Sequence, residues 1–211
     1  MSHSYKSITN QSISRAYVTH SYVYWDNIFT EDELNSISQM SVDDSLSDSR
    51  TLQTGLTEYR KSKVNFHHPN DDNIWIFDRL NNLINHVNNE FFNFDLNGYE
   101  FYQYSEYREE DSGHYNWHTD VALGGDNLNE FKQGFAGLET RKLSISLLLN
   151  EPEVDFSGGD FYVKMDDEGT HVPCKKGRAI LFPSYTLHKV SPVTKGVRKS
   201  LVVWVTGPKF R

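Results

Sequence analysis

The sequence predicts a mainly β protein of sandwich, jelly-roll or barrel type, with its helices in the N-terminal part. From about residue 98, short apolar or alternating runs recur at intervals of roughly eight to twelve positions, with turn residues between them. The runs are Glu100–Tyr107, Tyr115–Val121, Lys142–Leu149, Asp160–Met165, Arg178–Phe182, Thr186–Val190 and Arg198–Thr206. Aromatic residues make up 14% of the chain, which favours a packed, β-rich interior.

The N-terminal part begins with a predicted strand and a short helix. The stretch Ala16–Trp25 is rich in β-branched and aromatic residues, as strands are. Thr30 and Glu33 have the spacing of a capping box, in which each side chain accepts a hydrogen bond from the other residue's backbone N–H. This spacing predicts a helix that runs to about Met40, followed by a polar loop over 41–55.

A second, longer helix is predicted from about Asp71 to Phe92. Apolar residues recur there at three- and four-residue spacing and form one face. They are Ile74, Phe77, Leu80, Leu83, Ile84, Val87 and Phe91. Asn70 to Asp72 are predicted to cap the helix and to place negative charge at its N-terminus.

Composition bounds the class of protein. The 211 residues are predicted to form one domain, with buttressing elements over 1–97 and a β core over 98–211. The net charge of −8 argues against nucleic acid and membrane surfaces as partners, and no apolar run reaches the length of a membrane span. Cys174 is the only cysteine. With an N-terminus that lacks the apolar core of a signal peptide, this predicts a soluble protein in a reducing, cytoplasmic compartment.

His118 and Asp120 are the first candidate metal ligands. Residues two apart on a strand point to the same face, so the imidazole and the carboxylate are able to converge on one ion. Chance alone yields about 0.7 such pairs in a chain of this composition, so the pair is weak evidence without a third ligand. His188, on a late predicted strand, supplies that ligand. Two histidines and one carboxylate leave three adjacent positions open on Fe(II) for a chelating cosubstrate and O₂.

Arg198 and Ser200 are the candidate cosubstrate residues. They share one face of the last predicted strand, whereas Lys199 faces the other way. A guanidinium is suited to pair with a carboxylate through two hydrogen bonds, and a serine hydroxyl adds a further donor. Tyr107 is predicted to place its phenol on the same carboxylate, with Tyr104 as the competing residue. Tyr115, three residues before the first histidine, is predicted to line the pocket wall and to belong to the cosubstrate site.

These residues resemble the prolyl-4-hydroxylase-like branch of the Fe(II)/2-oxoglutarate dioxygenases, which includes bacterial and phage enzymes called PKHD-type hydroxylases. The matching segments cover roughly residues 98–211, about half of the chain. They are 113–120 (GHYNWHTD), 141–144 (RKLS), 156–161 (FSGGDF), 181–184 (LFPS) and 188–198 (HKVSPVTKGVR). The family's tyrosine usually lies slightly closer to the first histidine than Tyr107 does, and the insert over 109–112 accounts for the difference.

The resemblance implies a double-stranded β-helix, a distorted jelly roll with N-terminal helices against one sheet. It implies Fe(II) held by the three ligands named above, with 2-oxoglutarate and O₂ as cosubstrates and ascorbate as reductant. The implied reaction couples oxidative decarboxylation of 2-oxoglutarate, to succinate and CO₂, with hydroxylation of a C–H bond. Halogenating relatives lack the carboxylate ligand, so the presence of Asp120 favours hydroxylation.

The substrate predicted from the resemblance is a prolyl residue of a peptide or a small amino-acid-like molecule. The Gly- and Asn-rich stretch 122–140 is predicted to be a lid, with Asp126, Asn127 and Lys132 near the entrance. Two other readings of the sequence remain. A jelly-roll binding module would have no catalysis, and a cupin-type metal enzyme would use the same ligands without 2-oxoglutarate.

Overall fold

The computed structural model describes residues 21–42, 46–48, 59–121, 139–165 and 167–209. These segments contain thirteen strands and two α-helices, and both helices lie in the N-terminal half of the chain. In chain order they are β1 (Val23–Trp25), α1 (Glu31–Ser41), β2 (Ser47–Asp48), β3 (Arg60–Lys61), β4 (Lys63–His67), α2 (Ile74–Val87), β5 (Tyr102–Arg108), β6 (His114–His118), β7 (Glu139–Leu148), β8 (Phe156–Gly158), β9 (Phe161–Val163), β10 (Thr170–Val172), β11 (Ala179–Pro183), β12 (His188–Val190) and β13 (Val193–Pro208).

The strands form two antiparallel sheets, as the spacing of apolar runs predicted. The large sheet has the order β1-β11-β7-β13-β5-β4-β2, with β8 paired to the first residues of β13. The small sheet has the order β10-β9-β12-β6-β3. A buried cluster joins side chains of the two sheets, including Tyr107 of the large sheet and Phe161 and Val163 of the small one. Every predicted run from residue 98 onward overlaps a strand, although β13 begins five residues before the predicted run. The strands β2, β3, β4, β8 and β10 were not predicted.

The large sheet carries the main hydrophobic core on its other face. Along β13, Leu201, Val203 and Val205 are buried in this core together with residues of α1 and α2. The helices therefore buttress the large sheet, as the sequence predicted. Removing each such aliphatic side chain from water stabilises the fold by about 1.5–3 kcal/mol. The residues between them on β13 point the opposite way, toward the small sheet.

Helix α1 has the predicted capping box. The backbone N–H of Glu33 donates to Thr30 Oγ1 at 3.2 Å, and that of Thr30 donates to Glu33 Oε2 at 2.7 Å. Of the strand predicted over Ala16–Trp25, Val23–Trp25 form β1, Ser21 and Tyr22 precede the strand, and residues 16–20 lie outside the described part of the chain. None of the described helices is long and apolar enough to cross a membrane.

The predicted cap of α2 was wrong. The helix begins at Ile74, and Asn73 occupies the N-cap position without a side-chain cap bond. Its Oδ1 accepts from the backbone N–H of Asn70 at 2.8 Å instead, while Asn70 Oδ1 accepts from that of Asp72 at 2.9 Å. These mutual bonds stabilise a turn that delays the helix. At its other end α2 continues as a π-helical turn, Asn88–Phe92, which agrees with the predicted end.

Asp26 connects the segment after β1 to Arg178, next to β11. Its carboxylate accepts from Arg178 Nε at 2.8 Å and from Nη2 at 2.9 Å, and Lys175 Nζ lies 3.1 Å away. The hydrogen bond from Arg178 is the largest influence on the carboxyl. Together these contacts lower the pKa of Asp26 from 3.8 to about 2.

We expect Asp26→Asn to destabilise the protein by about 1 kcal/mol near neutral pH, because the partly exposed ion pair is lost. Since the folded-state pKa lies below the ordinary one, the ionised carboxylate stabilises the fold above about pH 4. This stabilisation is lost as the pH falls toward 2. Urea unfolding at several pH values measures it. Asp48→Asn, at a largely exposed pair with Lys63, is the control. A difference between wild type and Asp26→Asn that did not change with pH would contradict the assignment.

Candidate active site

Two neighbouring strands of the small sheet bring the predicted metal ligands together. Strands β6 and β12 are antiparallel, and His118 pairs in register with His188. Asp120 lies two residues after the end of β6. His118 Nε2 lies 3.8 Å from Asp120 Oδ1, and His188 Nε2 lies 3.6 Å from Asp120 Oδ2. These separations exceed hydrogen-bond range and leave room for one ion that all three side chains contact. Among the described residues, this is the only such group of three or more ligand side chains.

In both imidazoles a contact at Nδ1 orients the ring, and Nε2 is the nitrogen left for metal binding. His118 Nδ1 lies 2.7 Å from the carbonyl oxygen of Asn116, and His188 Nδ1 lies 2.9 Å from that of Thr186. A carbonyl only accepts, so each Nδ1 carries the proton and each Nε2 has a free lone pair. Burial, together with the nearby His188, lowers the pKa of His118 to about 3. The His118 ring is therefore neutral at physiological pH, as a ligand must be.

Asp120 is held ionised. It is buried, and burial alone would raise its pKa, but His188, His118 and a hydrogen bond from Ser144 together lower the pKa. Its backbone N–H donates to the carbonyl oxygen of Ser184 at 2.9 Å. Burying a carboxylate is costly unless cations lie near it. The charge of Arg141 offsets part of this cost for Asp120, and a divalent ion between the three ligands would offset the rest. The side chains present therefore fit Fe(II).

Arg198 lies in the same cleft, on β13 of the large sheet. Its side chain is 2% exposed, its Nη1 donates to Ser200 Oγ at 3.1 Å, and its Nε has no partner among the described residues. An unsatisfied buried donor costs about 1–3 kcal/mol. A carboxylate placed here would satisfy it, which matches the predicted cosubstrate position. Lys199 does not line the cleft.

Tyr107 and Tyr104, the two candidates for the cosubstrate tyrosine, lie on opposite faces of the large sheet. Tyr107 pairs with Arg198 across β5 and β13, lines the cleft, and has its ring centre 5.5 Å from the guanidinium carbon. Tyr104 points to the opposite face of the sheet, into the helix-side core, where its hydroxyl donates to Glu106 Oε1 at 2.8 Å. Tyr115 lines the cleft and stacks on the His118 ring, with centres 3.3 Å apart. Burial raises its pKa to about 12, so its phenol keeps its proton.

The cleft contains further polar residues that sequence analysis assigned no role. Trp204 shares the cleft-facing side of β13 with Arg198 and Ser200, which strand alternation alone would have indicated. Arg141 lies over the Trp204 ring at 4.2 Å. A β-bulge interrupts the pairing of β13 with β7. The register shifts between Val205 and Thr206, next to Arg141. Such a bulge turns a side chain to the other face of its sheet, and no short-range sequence signal marked it.

The remaining walls of the cleft are mostly apolar. Phe182 and Phe161 pack beside the His188 ring, with centres 4.6 and 5.6 Å away. The other lining residues are Arg60, Gln103, Ser146, Val190 and Val202. Asp126, Asn127 and Lys132, predicted to lie near the entrance, fall outside the described residues, as does most of the stretch 122–140.

A family model described as the 2OG-Fe(II) oxygenase superfamily matches residues 102–206. That range contains all three candidate ligands as well as Arg198 and Ser200. A PKHD-type hydroxylase from Hyphomonas neptunium is 38% identical over 99 residues, which are 46% of this chain and 40% of that protein. The chain thus spans less than half the length of the curated relatives it matches.

Solved structures of low sequence identity share the fold. A viral collagen prolyl hydroxylase from Paramecium Bursaria Chlorella virus-1, in complex with 2OG, superposes with a TM-score of 0.66 at 17% identity. The match covers 92% of this chain and 99% of that one. A prolyl hydroxylase from Trichoplax adhaerens, bound to a peptide of hypoxia-inducible factor, gives 0.66 at 16% identity and covers 89% and 84% of the two chains. These similarities confirm the predicted double-stranded β-helix.

Proposed function

Because this chain belongs to the 2OG-Fe(II) oxygenase superfamily, we propose that it is an Fe(II)- and 2-oxoglutarate-dependent hydroxylase with His118, Asp120 and His188 as its iron ligands. One observation carries the proposal: the three buried ligand side chains face a buried guanidinium, Arg198, whose Nε has no partner among the described residues. The first group fits a divalent ion and the second fits a carboxylate, as the two ends of 2-oxoglutarate require. When bound, Fe(II) supplies O₂ activation coupled to oxidative decarboxylation of 2-oxoglutarate and hydroxylation of a C–H bond.

The cosubstrate pocket follows from the geometry around Arg198. We assign its guanidinium and the Ser200 hydroxyl to the distal carboxylate of 2-oxoglutarate. Tyr107 lies beside Arg198 and is positioned to donate its phenol to the same carboxylate. Because Arg198 is almost fully buried, its charge is poorly screened, and pairing with a carboxylate is favoured more than at the surface.

The rest of the cleft orients the ligands and excludes water. Tyr115 holds the His118 ring by stacking, and Phe161 and Phe182 pack around His188. These apolar contacts keep the imidazoles in place and limit access of solvent to the reacting atoms.

The proposal also covers the domain organisation, the substrate, the reductant and the location of the protein. We assign all 211 residues to one oxygenase domain, because the large sheet borders both buried clusters. The substrate we propose is a prolyl residue or an amino-acid-like molecule, a choice supported by the prolyl hydroxylases that share the fold. Ascorbate as reductant and an intracellular location, where iron stays ferrous, complete the proposal.

The deciding experiment is an anaerobic titration of metal-free protein, first with Fe(II) and then with 2-oxoglutarate. Chelation of Fe(II) by 2-oxoglutarate produces a visible metal-to-ligand charge-transfer band. A band that saturates with 2-oxoglutarate supports the proposal. Folded, iron-loaded protein that develops no band would refute it, and the family membership would then describe the fold without the cosubstrate.

Gly159 allows the close approach of Arg198, and its replacement tests the pocket without touching the guanidinium. A Cβ at this position would lie 2.9 Å from Arg198 Cδ and 3.0 Å from Val193 Cγ2, on a backbone with φ of +64°. We expect Gly159→Ala to displace Arg198 and to weaken 2-oxoglutarate binding by roughly 10-fold, measured as the midpoint of the band titration.

Gly98→Ala is the matched control for backbone strain. Gly98 also has a positive φ, +148°, but no atom lies within 4 Å of its added Cβ. An equal loss of 2-oxoglutarate affinity in the two variants would show that strain alone, rather than contact with Arg198, causes the effect.

A further inference from the structure

Three of the described arginines have no carboxylate partner, and all three lie beside the metal cleft. The other three described arginines, Arg79, Arg108 and Arg178, form ion pairs with Glu33, Glu106 and Asp26. Arg60, Arg141 and Arg198 have no carboxylate within 4.0 Å among the residues that the structure describes. Arg198 is accounted for by 2-oxoglutarate. Arg60 and Arg141 are left over.

Arg60 and Arg141 contact aromatic rings of the cleft. The Arg60 guanidinium lies over the Tyr115 ring at 4.6 Å and donates to Ser62 Oγ at 2.9 Å. The Arg141 guanidinium lies over the Trp204 ring at 4.2 Å, and its Nη1 lies 3.4 Å from the carbonyl oxygen of Asp120. Arg60 acts electrostatically on the Tyr115 phenol, and Arg141 acts first on the Asp120 carboxylate and then on the same phenol. They therefore belong to one region, next to the metal ligands.

A third donor in this region is also unsatisfied. Trp204 Nε1 is buried and has no hydrogen-bond partner among the described residues, and Trp204 lines the cleft together with Arg60. A buried N–H without an acceptor costs about 1–3 kcal/mol. The ligand that fills this part of the cleft should therefore bring an acceptor.

Charge balance identifies the kind of acceptor. In the loaded enzyme, the charges of Fe(II) and Arg198 are cancelled by those of Asp120 and the two carboxylates of 2-oxoglutarate. Among the described residues that line or contact the cleft, Arg60 and Arg141 are then the charges left over, and they make its substrate side positive, although the chain as a whole carries −8. A cleft with apolar walls focuses such a field, which attracts an anion and repels a cation.

We propose that the substrate carries a carboxylate, bound by Arg60 and Arg141 with Trp204 Nε1–H as a further donor. This inference rests on the proposed function and defines its substrate class. The carboxylate belongs either to the α-carboxyl group of a free amino acid or to an acidic side chain next to the target residue of a peptide. A substrate with a cationic side chain at this position is disfavoured.

Two matched series of probes test the inference with Fe(II)- and 2-oxoglutarate-loaded protein. One series compares common L-amino acids with their α-amides. The other compares blocked proline-containing peptides that carry Glu beside the proline with the same peptides carrying Gln. Two readouts are taken: the change of the anaerobic charge-transfer band on adding the probe, and probe-dependent succinate release in air.

We expect the acid to act at concentrations roughly 10- to 100-fold lower than the amide in one of the two series, as a charged hydrogen bond implies. A response in the first series identifies an α-carboxylate, and one in the second an acidic side chain. Arg60→Gln and Arg141→Gln should each reduce the preference. Arg79→Gln, at an exposed ion pair with Glu33, should retain it.

Equal responses to acid and amide in both series, including none in either, would overturn the inference, as would a preference unchanged in both cleft variants. The band formed with 2-oxoglutarate alone is recorded first for every protein. If that band is normal, a negative result concerns the substrate class alone. If it is missing from the wild type, the proposed function fails.

Discussion

Arg198→Ala is expected to weaken 2-oxoglutarate binding by at least about 100-fold, because a buried guanidinium that makes charge-assisted bonds to a carboxylate is removed. In the wild type Arg198 is 2% exposed, with Nη1 bonded to Ser200 Oγ and Nε unpartnered among the described residues. Truncation leaves the distal carboxylate in an apolar cleft without its counter-charge. The titration midpoint of the charge-transfer band measures the loss, and succinate release should fall with it.

Two further variants test whether the planar guanidinium and its position in the cleft are both required. Arg198→Lys keeps the charge but loses the planar fork, so its affinity should lie between those of wild type and Arg198→Ala. Lys199→Ala removes a cation one residue away that does not line the cleft, and it should bind 2-oxoglutarate like wild type. If Arg198→Ala bound 2-oxoglutarate normally, the cosubstrate assignment would be wrong, and a cupin-type enzyme that uses the same three ligands without 2-oxoglutarate would be favoured.

Asp120→Ala is expected to lower the affinity for Fe(II), or for Mn(II) as a substitute, by more than about 100-fold, because even residues that only support metal ligands contribute 10- to 100-fold. The variant loses the only negative ligand and leaves two neutral imidazoles. Metal-dependent thermal stabilisation should therefore be lost at metal concentrations below the raised Kd of the variant, since a ligand at free concentration L stabilises the folded state by RT ln(1 + L/Kd). His188→Ala should behave in the same way.

The matched control for the metal site is Asp160→Asn. Asp160 precedes β9 of the same small sheet, and its carboxylate pairs with His171 at 3.5 Å on the surface. Its replacement should leave metal affinity and succinate release unchanged. Full 2-oxoglutarate turnover by Asp120→Ala would show that His118, Asp120 and His188 do not form the iron site.

Much of this protein was predictable from local pattern. Strand periodicity and turn residues indicated the β core, because alternation along a strand reflects which side is buried. The Thr30–Glu33 capping box was predictable because it involves residues three apart. Arg198 and Ser200 were assigned to one face of β13 for the same reason, and the structure confirms that both line the cleft.

Features that depend on contacts between distant segments were not predictable. One local feature was missed as well: the start of α2 was misplaced because the side chains of Asn70 and Asn73 bond to backbone N–H groups of the turn and compete with the helix. The choice between Tyr104 and Tyr107 remained open, because their relative position depends on the registration of β5 against β13. Arg141 was assigned no role because its position over the Trp204 ring depends on the bulge between β7 and β13.

The sequence by itself determined the chemistry of this protein: which side chains are available to bind iron and a carboxylate, and on which side of each strand they lie. Tertiary structure alone decided their convergence. It pairs His118 with His188, places Arg198 opposite them, and brings Arg60, Arg141 and Trp204 beside the same cleft. The reason is that side-chain direction depends on neighbours along the chain, whereas strand pairing depends on residues as far apart as β6 and β12.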